Sequence, residues 1–180
     1  MQFESFLNGV LLIKPHVHQD HRGHFFESFR QDSLKEMGVE LDFIQDNQSL
    51  SNAGILRGLH YQAPPHAQGK LVRVIKGAVR DVVVDIRTQS PSYGQFAAFE
   101  LSEENFHALY VPPGFAHGFL TLRDHTIFTY KCTDYYHPET EGGIRWNCPE
   151  LNIPWQIENP ILSDKDQKQP LFNEFKSPFS

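Results

Sequence analysis

The chain has 180 residues but only two cysteines, Cys132 and Cys148, and it contains no long apolar run. Two cysteines without a CxxC spacing exclude a disulfide framework and predict a reducing, cytoplasmic location. The first 15 residues carry Glu4 and only a short apolar stretch, which is typical of neither a secretory signal nor a membrane span. Positive charge is scarce as well, since 16 lysines and arginines face 22 acidic residues, for a formal charge of −6. This balance predicts no nucleic-acid partner and no membrane partner.

Helical periodicity is equally scarce, and short β-branched and aromatic runs alternate instead with 12 glycines and 12 prolines. That pattern predicts an all-β fold. The one helical pattern is DSLKEMGV, residues 32–39, with Asp32 or Ser33 as its cap and Gly38 at its end. The length suits one domain over residues 1–180. We predict a double-sheet jelly roll with a few short helices, an N-terminal arm, and an irregular segment from Pro149 onward.

The clearest strand pattern is KLVRVIKGAVRDVVVDIR, residues 70–87. Lys76 and Gly77 separate two β-branched runs, which predicts a hairpin whose turn needs a positive φ at Gly77. Further strands are expected at Phe96–Leu101, His107–Val111, His117–Leu122 and Thr126–Cys132.

The segment GILRGLHYQ, residues 54–62, places a cation and an imidazole in a strand-forming context, as Arg57 and His60. These two groups suit the binding of an anion and the movement of a proton. In a regular strand they point to opposite sides, so a shared pocket requires a bulge near Gly58. A structural or surface role stays the alternative for any one of the ten histidines.

Later segments carry residues that could complete such a site. His117 follows a Pro/Gly turn, Lys70 opens a strand, and Tyr130 lies in the middle of one. A tyrosine hydroxyl that faces a pocket can donate a proton, although core packing is the alternative for Tyr130. Asp166 gains a role if it folds back onto a histidine, because a carboxylate orients an imidazole and raises its basicity.

Nine segments, in order and at family-like spacing, together resemble the dTDP-4-dehydrorhamnose 3,5-epimerase family over about Val10 to Leu171. They are DHRGHFFES, FIQDNQS, GILRGLHYQ, GKLVRVIKGAVRDVVVDIR, SPSYGQF, PPGFAHGF, YKCTDYY, EGGIRWN and LSDKD. The resemblance implies a cupin jelly roll without a metal or other cofactor, usually a homodimer. It also implies epimerisation of dTDP-4-dehydro-6-deoxy-D-glucose at carbons 3 and 5, on the way to dTDP-L-rhamnose.

The resemblance further implies a role for each matching residue. His60 resembles the general base, Asp166 its orienting carboxylate, and Tyr130 the acid on the opposite face. Lys70 resembles the group that stabilises the enolate oxygen. The implied substrate contacts are Arg22, Glu27, Gln45, Asp46, Asn47, Arg57, His117, Tyr136 and Glu141, with Tyr136 stacking on thymine. From the residues alone, Arg22 and Glu27 can also be a surface ion pair, and residues 45–47 an ordinary turn.

Three rival functions stay open at this point. A mono-epimerase of a related sugar would use the same base and acid, and a non-catalytic sugar-binding jelly roll would need neither. A metal-dependent cupin would need a His-x-His pair with a glutamate and a further histidine. The residue two positions after His60 is a glutamine and not a histidine, and the His16-x-His18 pair has no glutamate at a suitable spacing. We therefore predict no catalytic metal. This prediction would be wrong if His60, His66 and His117 met at one metal site.

Overall fold

The computed structural model describes all 180 residues. It contains two short helices, α1 (Gln31–Glu36) and α2 (Asp164–Gln167), and one turn of 3-10 helix at Pro138–Thr140. The strands are β1 (Gln2–Phe6), β2 (Val10–Lys14), β3 (His18–Asp20), β4 (Gly23–Phe25), β5 (Gln45–Ser51), β6 (Leu56–Gln62), β7 (Lys70–Lys76), β8 (Ala78–Asp85), β9 (Phe96–Ser102), β10 (Ala108–Val111), β11 (Phe115–Thr121), β12 (Thr126–Cys132) and β13 (Glu141–Gly143). Helix α1 has six residues and α2 has four, so neither helix could span a bilayer.

Two antiparallel sheets build the body of the fold. A six-stranded sheet has the order β1-β2-β10-β7-β12-β5, and a five-stranded sheet has the order β13-β6-β11-β8-β9. Side chains of both sheets meet in one apolar cluster that includes Val72, Val83, Phe119 and Phe128. Two packed antiparallel sheets that exchange consecutive strands in this way form a jelly roll, so the predicted fold class is confirmed.

The outer face of the five-stranded sheet is covered by the C-terminal segment that begins at Ile144. Val84 and Leu120 of the sheet share a second apolar cluster with Leu151 and Trp155 of the C-terminal segment. From Pro149 onward this segment contains no regular element apart from α2, and it packs across the sheet. Burial on both faces explains why β8 contains three consecutive valines, Val82 to Val84, in place of alternating apolar and polar residues.

The predicted hairpin at Lys76-Gly77 is wrong in its pairing. β7 lies between β10 and β12 in one sheet, whereas β8 lies between β11 and β9 in the other. The turn itself is as predicted, because Gly77 has a φ of +82°. A Cβ at this position would lie 2.2 Å from the Thr126 hydroxyl oxygen, so the crossing also needs the missing side chain. The local sequence therefore specifies the turn, and tertiary packing decides the partners of the two strands.

Other differences from the sequence-based predictions are local. Helix α1 starts after Arg30 without a side-chain cap, so neither Asp32 nor Ser33 caps it. Gly38 follows its end with a φ of +84°, which agrees with the predicted stop. Residues 45–47 begin strand β5 and are not a turn.

Candidate active site

A cavity of about 440 Å³ opens between the two sheets. It gathers side chains that lie far apart in the sequence, from strands of both sheets and from α2. They are Arg57, His60, Lys70, His117, Tyr130 and Asp166. All four predicted catalytic residues and two of the predicted substrate contacts thus face one space.

His60 and Asp166 form a close polar contact in the cavity. Their Nε2 and Oδ1 atoms lie 2.5 Å apart, and the Asp166 side chain is only 3% exposed. Burial alone would raise the pKa of Asp166, but the hydrogen bond and the charge of His60 outweigh it and lower that pKa. The carboxylate therefore stays ionised, holds the imidazole through Nε2, and leaves Nδ1 as the nitrogen that can accept a proton.

The C-terminal segment places Asp166 at the cavity. Ile161 pairs with the start of β6, since its N–H donates to Gly54 at 2.8 Å and its carbonyl accepts from Leu56 at 3.0 Å. Ser163 then caps α2, and its hydroxyl oxygen accepts the Asp166 N–H at 3.1 Å. These bonds fix the carboxylate although 106 residues separate it from His60.

A bulge in β6 lets Arg57 and His60 face the same cavity. The pairing with β11 shifts by one residue between the two positions. Gly58 lies in the bulge with a φ of +131°, and a Cβ there would be 2.5 Å from the Cα of Gly118. The bulge expected at Gly58 is confirmed, and its backbone needs a glycine. Arg57 is held in place by donating to the Ser51 hydroxyl at 3.1 Å.

Lys70 and Tyr130 belong to the six-stranded sheet, so they lie on the wall opposite His60. Burial raises the pKa of Tyr130, which keeps its hydroxyl protonated and able to donate at neutral pH. Burial lowers the pKa of Lys70, while the nearby acidic groups of Cys132, Glu141 and Asp81 oppose this effect. An ammonium of lowered pKa releases or shares its proton more readily with an oxyanion.

A second imidazole–carboxylate pair supports His117. Its Nε2 lies 2.9 Å from both carboxylate oxygens of Asp81. Asp81 is fully buried in β8, and burial raises its pKa against the opposing effect of His117 and Lys70. Asp81 is not among the site residues predicted from the sequence. The available signal was an acidic residue among valines, because a buried carboxylate in an apolar strand needs a partner.

A smaller pocket of about 330 Å³ adjoins the cavity, with His60, Lys70 and Tyr130 lining both. Four predicted substrate contacts line its outer part: Gln45, Asn47, Tyr136 and Glu141. The Tyr136 hydroxyl donates to Glu141 at 2.5 Å, and the Tyr136 N–H donates to the Gln45 side chain at 3.0 Å. An exposed aromatic ring is thereby fixed beside polar side chains at the cavity's edge.

Three predicted substrate contacts lie elsewhere in the chain. Asp46 is on the opposite face of β5 from its neighbours, is 61% exposed, and pairs with Lys131 at 2.8 Å. Arg22 sits in the β3–β4 turn and pairs with Asp20, while Glu27 pairs with Arg30. The surface ion pair considered for Arg22 and Glu27 is therefore wrong, and neither residue lines this chain's cavity. Because residues 45–51 form a strand, successive side chains point to opposite faces, and Asp46 therefore lies on the outer face.

These features define a jelly-roll enzyme of the epimerase kind, with proton-transfer groups on facing walls of a cavity and an aromatic ring at its mouth. Residues 4–174 match the family model described as dTDP-4-dehydrorhamnose 3,5-epimerase. The chain belongs to the dTDP-4-dehydrorhamnose 3,5-epimerase family. The enzyme of that name from Shigella flexneri is 50% identical over 158 residues, which cover 87% of each chain.

Solved structures agree with this assignment. The 3,5-epimerase from Legionella pneumophila, in complex with dTDP-4-keto-L-rhamnose, is 44% identical with a TM-score of 0.93, covering 97% of this chain and 94% of that one. A 3'-monoepimerase from Streptomyces bikiniensis, in complex with dTDP-quinovose, is 35% identical with a TM-score of 0.85, covering 91% of this chain and 83% of that one. The chain shares its fold with relatives of both kinds.

Proposed function

We propose that this enzyme inverts carbons 3 and 5 of dTDP-4-dehydro-6-deoxy-D-glucose and so forms dTDP-4-dehydro-L-rhamnose, a step of dTDP-L-rhamnose biosynthesis. One observation carries the proposal: the His60–Asp166 pair and the Tyr130 hydroxyl face one cavity from opposite sheets. Inversion needs a base on one side of a carbon and an acid on the other, and this arrangement supplies both.

Each inversion would proceed in two proton transfers. His60 Nδ1 takes the proton from the carbon next to the ketone, and the bonding pair moves onto the ketone oxygen as an enolate. Asp166 stabilises the resulting imidazolium through the 2.5 Å contact. Tyr130 then gives its proton to the opposite face of the carbon as the carbonyl re-forms. Solvent removes the proton from His60 and restores the one on Tyr130, so the substrate is isomerised without net loss or gain of atoms.

The enolate oxygen would be stabilised by Lys70 and His117. Both line the cavity between the base and the acid, and Asp81 holds the ring of His117 at 2.9 Å. Donors that are already in place stabilise a developing oxyanion without reorganising in the transition state. The proposed chemistry is carried by side chains alone and requires no cofactor.

The nucleotide would bind in the adjoining pocket, with thymine on the ring of Tyr136. The amide side chains of Gln45 and Asn47 and the carboxylate of Glu141 are within the same pocket. Arg57 would meet the diphosphate, because a guanidinium matches phosphate oxygens in two positions at once.

Arg22 and Glu27 point to a role between two copies of the chain. Arg22 is 79% exposed on the small β3–β4 sheet, which is separate from the two main sheets. We propose a homodimer in which this N-terminal arm contributes both residues to the partner's site.

The reduced state of both cysteines is consistent with a cytoplasmic location.

Deuterium exchange tests the reaction. Wild-type enzyme and substrate in deuterated water should incorporate deuterium at carbons 3 and 5, as read by NMR. His60→Ala should incorporate it at neither carbon. Incorporation at one carbon by the wild type would make the chain a mono-epimerase, and incorporation at neither would leave only sugar binding.

A further inference from the structure

Two histidines outside the cavity stack on one another. His66, in the loop after β6, and His137, in the segment after β12, have ring centroids 3.5 Å apart and planes inclined by 9°. His66 Nδ1 lies 3.2 Å from Asp134, and His137 Nδ1 lies 3.0 Å from Glu139. Ligand atoms of His66, His137 and Glu139 all lie within 4.8 Å of one another.

A buried amide holds the backbones that carry the two rings. Gln62 is 4% exposed; its side-chain nitrogen donates to the carbonyl of His66 and, at 2.9 Å, to that of Tyr135. The Gln62 side-chain oxygen accepts the His137 N–H at 2.9 Å. Gln68 adds a bond of 2.7 Å to the carbonyl of Asp134. The two loops are therefore joined before any ligand arrives, which reduces the entropy lost on binding.

We propose that His66, His137 and Glu139 bind one zinc ion. Two imidazoles and a carboxylate are ligands that Zn²⁺ prefers, whereas Mg²⁺ and Ca²⁺ favour oxygen alone. The Asp134 carboxylate accepts from His66 Nδ1 and so presents Nε2 to the ion, the arrangement in which an outer carboxylate orients a zinc-binding imidazole. A water molecule would complete a tetrahedral set.

The stacked rings must turn for both lone pairs to converge on one ion. Their side chains are 35% and 30% exposed, so rotation about the terminal torsion needs no movement of the core.

The zinc site is separate from the catalytic cavity, since none of its three ligands lines the cavity or the adjoining pocket. It nevertheless adjoins Tyr136, which precedes His137 in the chain. A bound ion would restrain the segment that carries Tyr136, and it would take no part in proton transfer. The proposal is independent of the proposed reaction.

Calorimetric titration of tag-free, chelator-treated protein with ZnCl₂ tests the site. We expect one ion per chain, and a tenfold or greater loss of affinity in both His66→Ala and His137→Ala, in line with the roughly 10–100-fold cost of disturbing metal-site residues. The matched control is the double variant His16→Ala/His18→Ala. That pair also has neighbouring rings, 4.5 Å apart, but makes no ion pair with a carboxylate, and its removal should leave zinc binding unchanged.

A second readout comes from CoCl₂, whose visible absorption reports the ligand set. The wild type should give the intense bands of a four-coordinate ion, and Glu139→Gln should weaken or shift them. Far-UV circular dichroism checks that each variant is folded. The proposal is overturned if no stoichiometric ion binds, if folded His66→Ala and His137→Ala bind zinc as the wild type does, or if only the His16/His18 variant loses binding.

Discussion

Replacing Asp166 by asparagine should abolish most of the turnover while leaving nucleotide binding intact. The change removes the charge from a side chain that is 3% exposed and 2.5 Å from His60. A hydrogen bond to a charged group contributes about 1.5–3 kcal/mol, and about 1.4 kcal/mol corresponds to a tenfold change in rate. Loss of the ionic contact alone therefore slows the reaction about 10- to 150-fold.

A second effect of Asp166→Asn adds to the first. An amide can donate to Nε2 of His60, which would move the proton to Nδ1 and remove the acceptor that faces the substrate. In serine proteases the corresponding replacement costs about 10⁴-fold in kcat. We therefore expect kcat to fall by about 10²- to 10⁴-fold.

The assay separates chemistry from binding. Steady-state kinetics with the keto-sugar nucleotide gives kcat, and calorimetric titration with dTDP gives the affinity of the adjoining pocket. We expect a dTDP dissociation constant within about twofold of the wild type, because Asp166 does not line that pocket. Turnover at the wild-type rate, or a loss of dTDP affinity that matches the loss of kcat, would show that Asp166 does not act through His60.

Three further predictions address the acid, the bulge and the pH dependence of stability. Tyr130→Phe should still exchange substrate protons for deuterium through His60. It should lower the rate of inversion by about 10²- to 10⁴-fold, because only the acid on the opposite face is lost. NMR of the product distinguishes exchange from inversion. Gly58→Ala should lower the free energy of unfolding in urea by about 2–4 kcal/mol, since the new Cβ would meet backbone at 2.5 Å on top of a positive φ. Because folding lowers the pKa of Asp166, its carboxylate stabilises the fold fully above the unfolded pKa of about 4, and this contribution disappears as the pH falls through the lower folded pKa. Urea titrations should accordingly show the stability gap between wild type and Asp166→Asn shrinking in acid.

Matched controls sharpen these predictions. Gly23 has a φ of +125°, but a Cβ added there would have nothing within 4 Å, so Gly23→Ala carries the strain without the collision. Gly23→Ala should lower the free energy of unfolding clearly less than Gly58→Ala does. Equal losses would show that the collision in the bulge contributes nothing. Loss of deuterium wash-in by Tyr130→Phe would count against separate roles for the acid and the base. A gap that widens in acid would contradict the lowered pKa of Asp166.

The fold class could be predicted because strand and turn signals are local. Thr126–Cys132 is a strand with the predicted bounds, and Gly77 has the predicted positive φ. The partners of β7 and β8 could not be predicted, because a turn signal does not say whether the next strand returns to the same sheet. Residues 45–47 were open to a turn interpretation, since their polar composition conceals a strand with one exposed face.

In the active site, too, some contacts could be predicted from the sequence and others could not. Arg57 and His60 could be linked by reasoning on the sequence, because a single glycine between them makes the bulge feasible. Asp166 reaches His60 across 106 residues. The sequence left open which histidine Asp166 would contact, and only the family resemblance paired it with His60. The contact between Asp81 and His117 links β8 to β11. An acidic residue among valines indicates that Asp81 needs a buried partner, but it does not indicate which residue that partner is.

We propose that base and acid act on opposite faces of one sugar ring. A crystal structure of the enzyme with the keto-sugar nucleotide, or with the epimerised product, would show this arrangement. We expect His60 Nδ1 and the Tyr130 hydroxyl on opposite sides of the ring, each about 3–3.5 Å from the carbon it serves, with Lys70 at the ketone oxygen. A ring with both groups on the same side, or a ring bound outside the cavity, would show that the two groups do not share the inversion in this way.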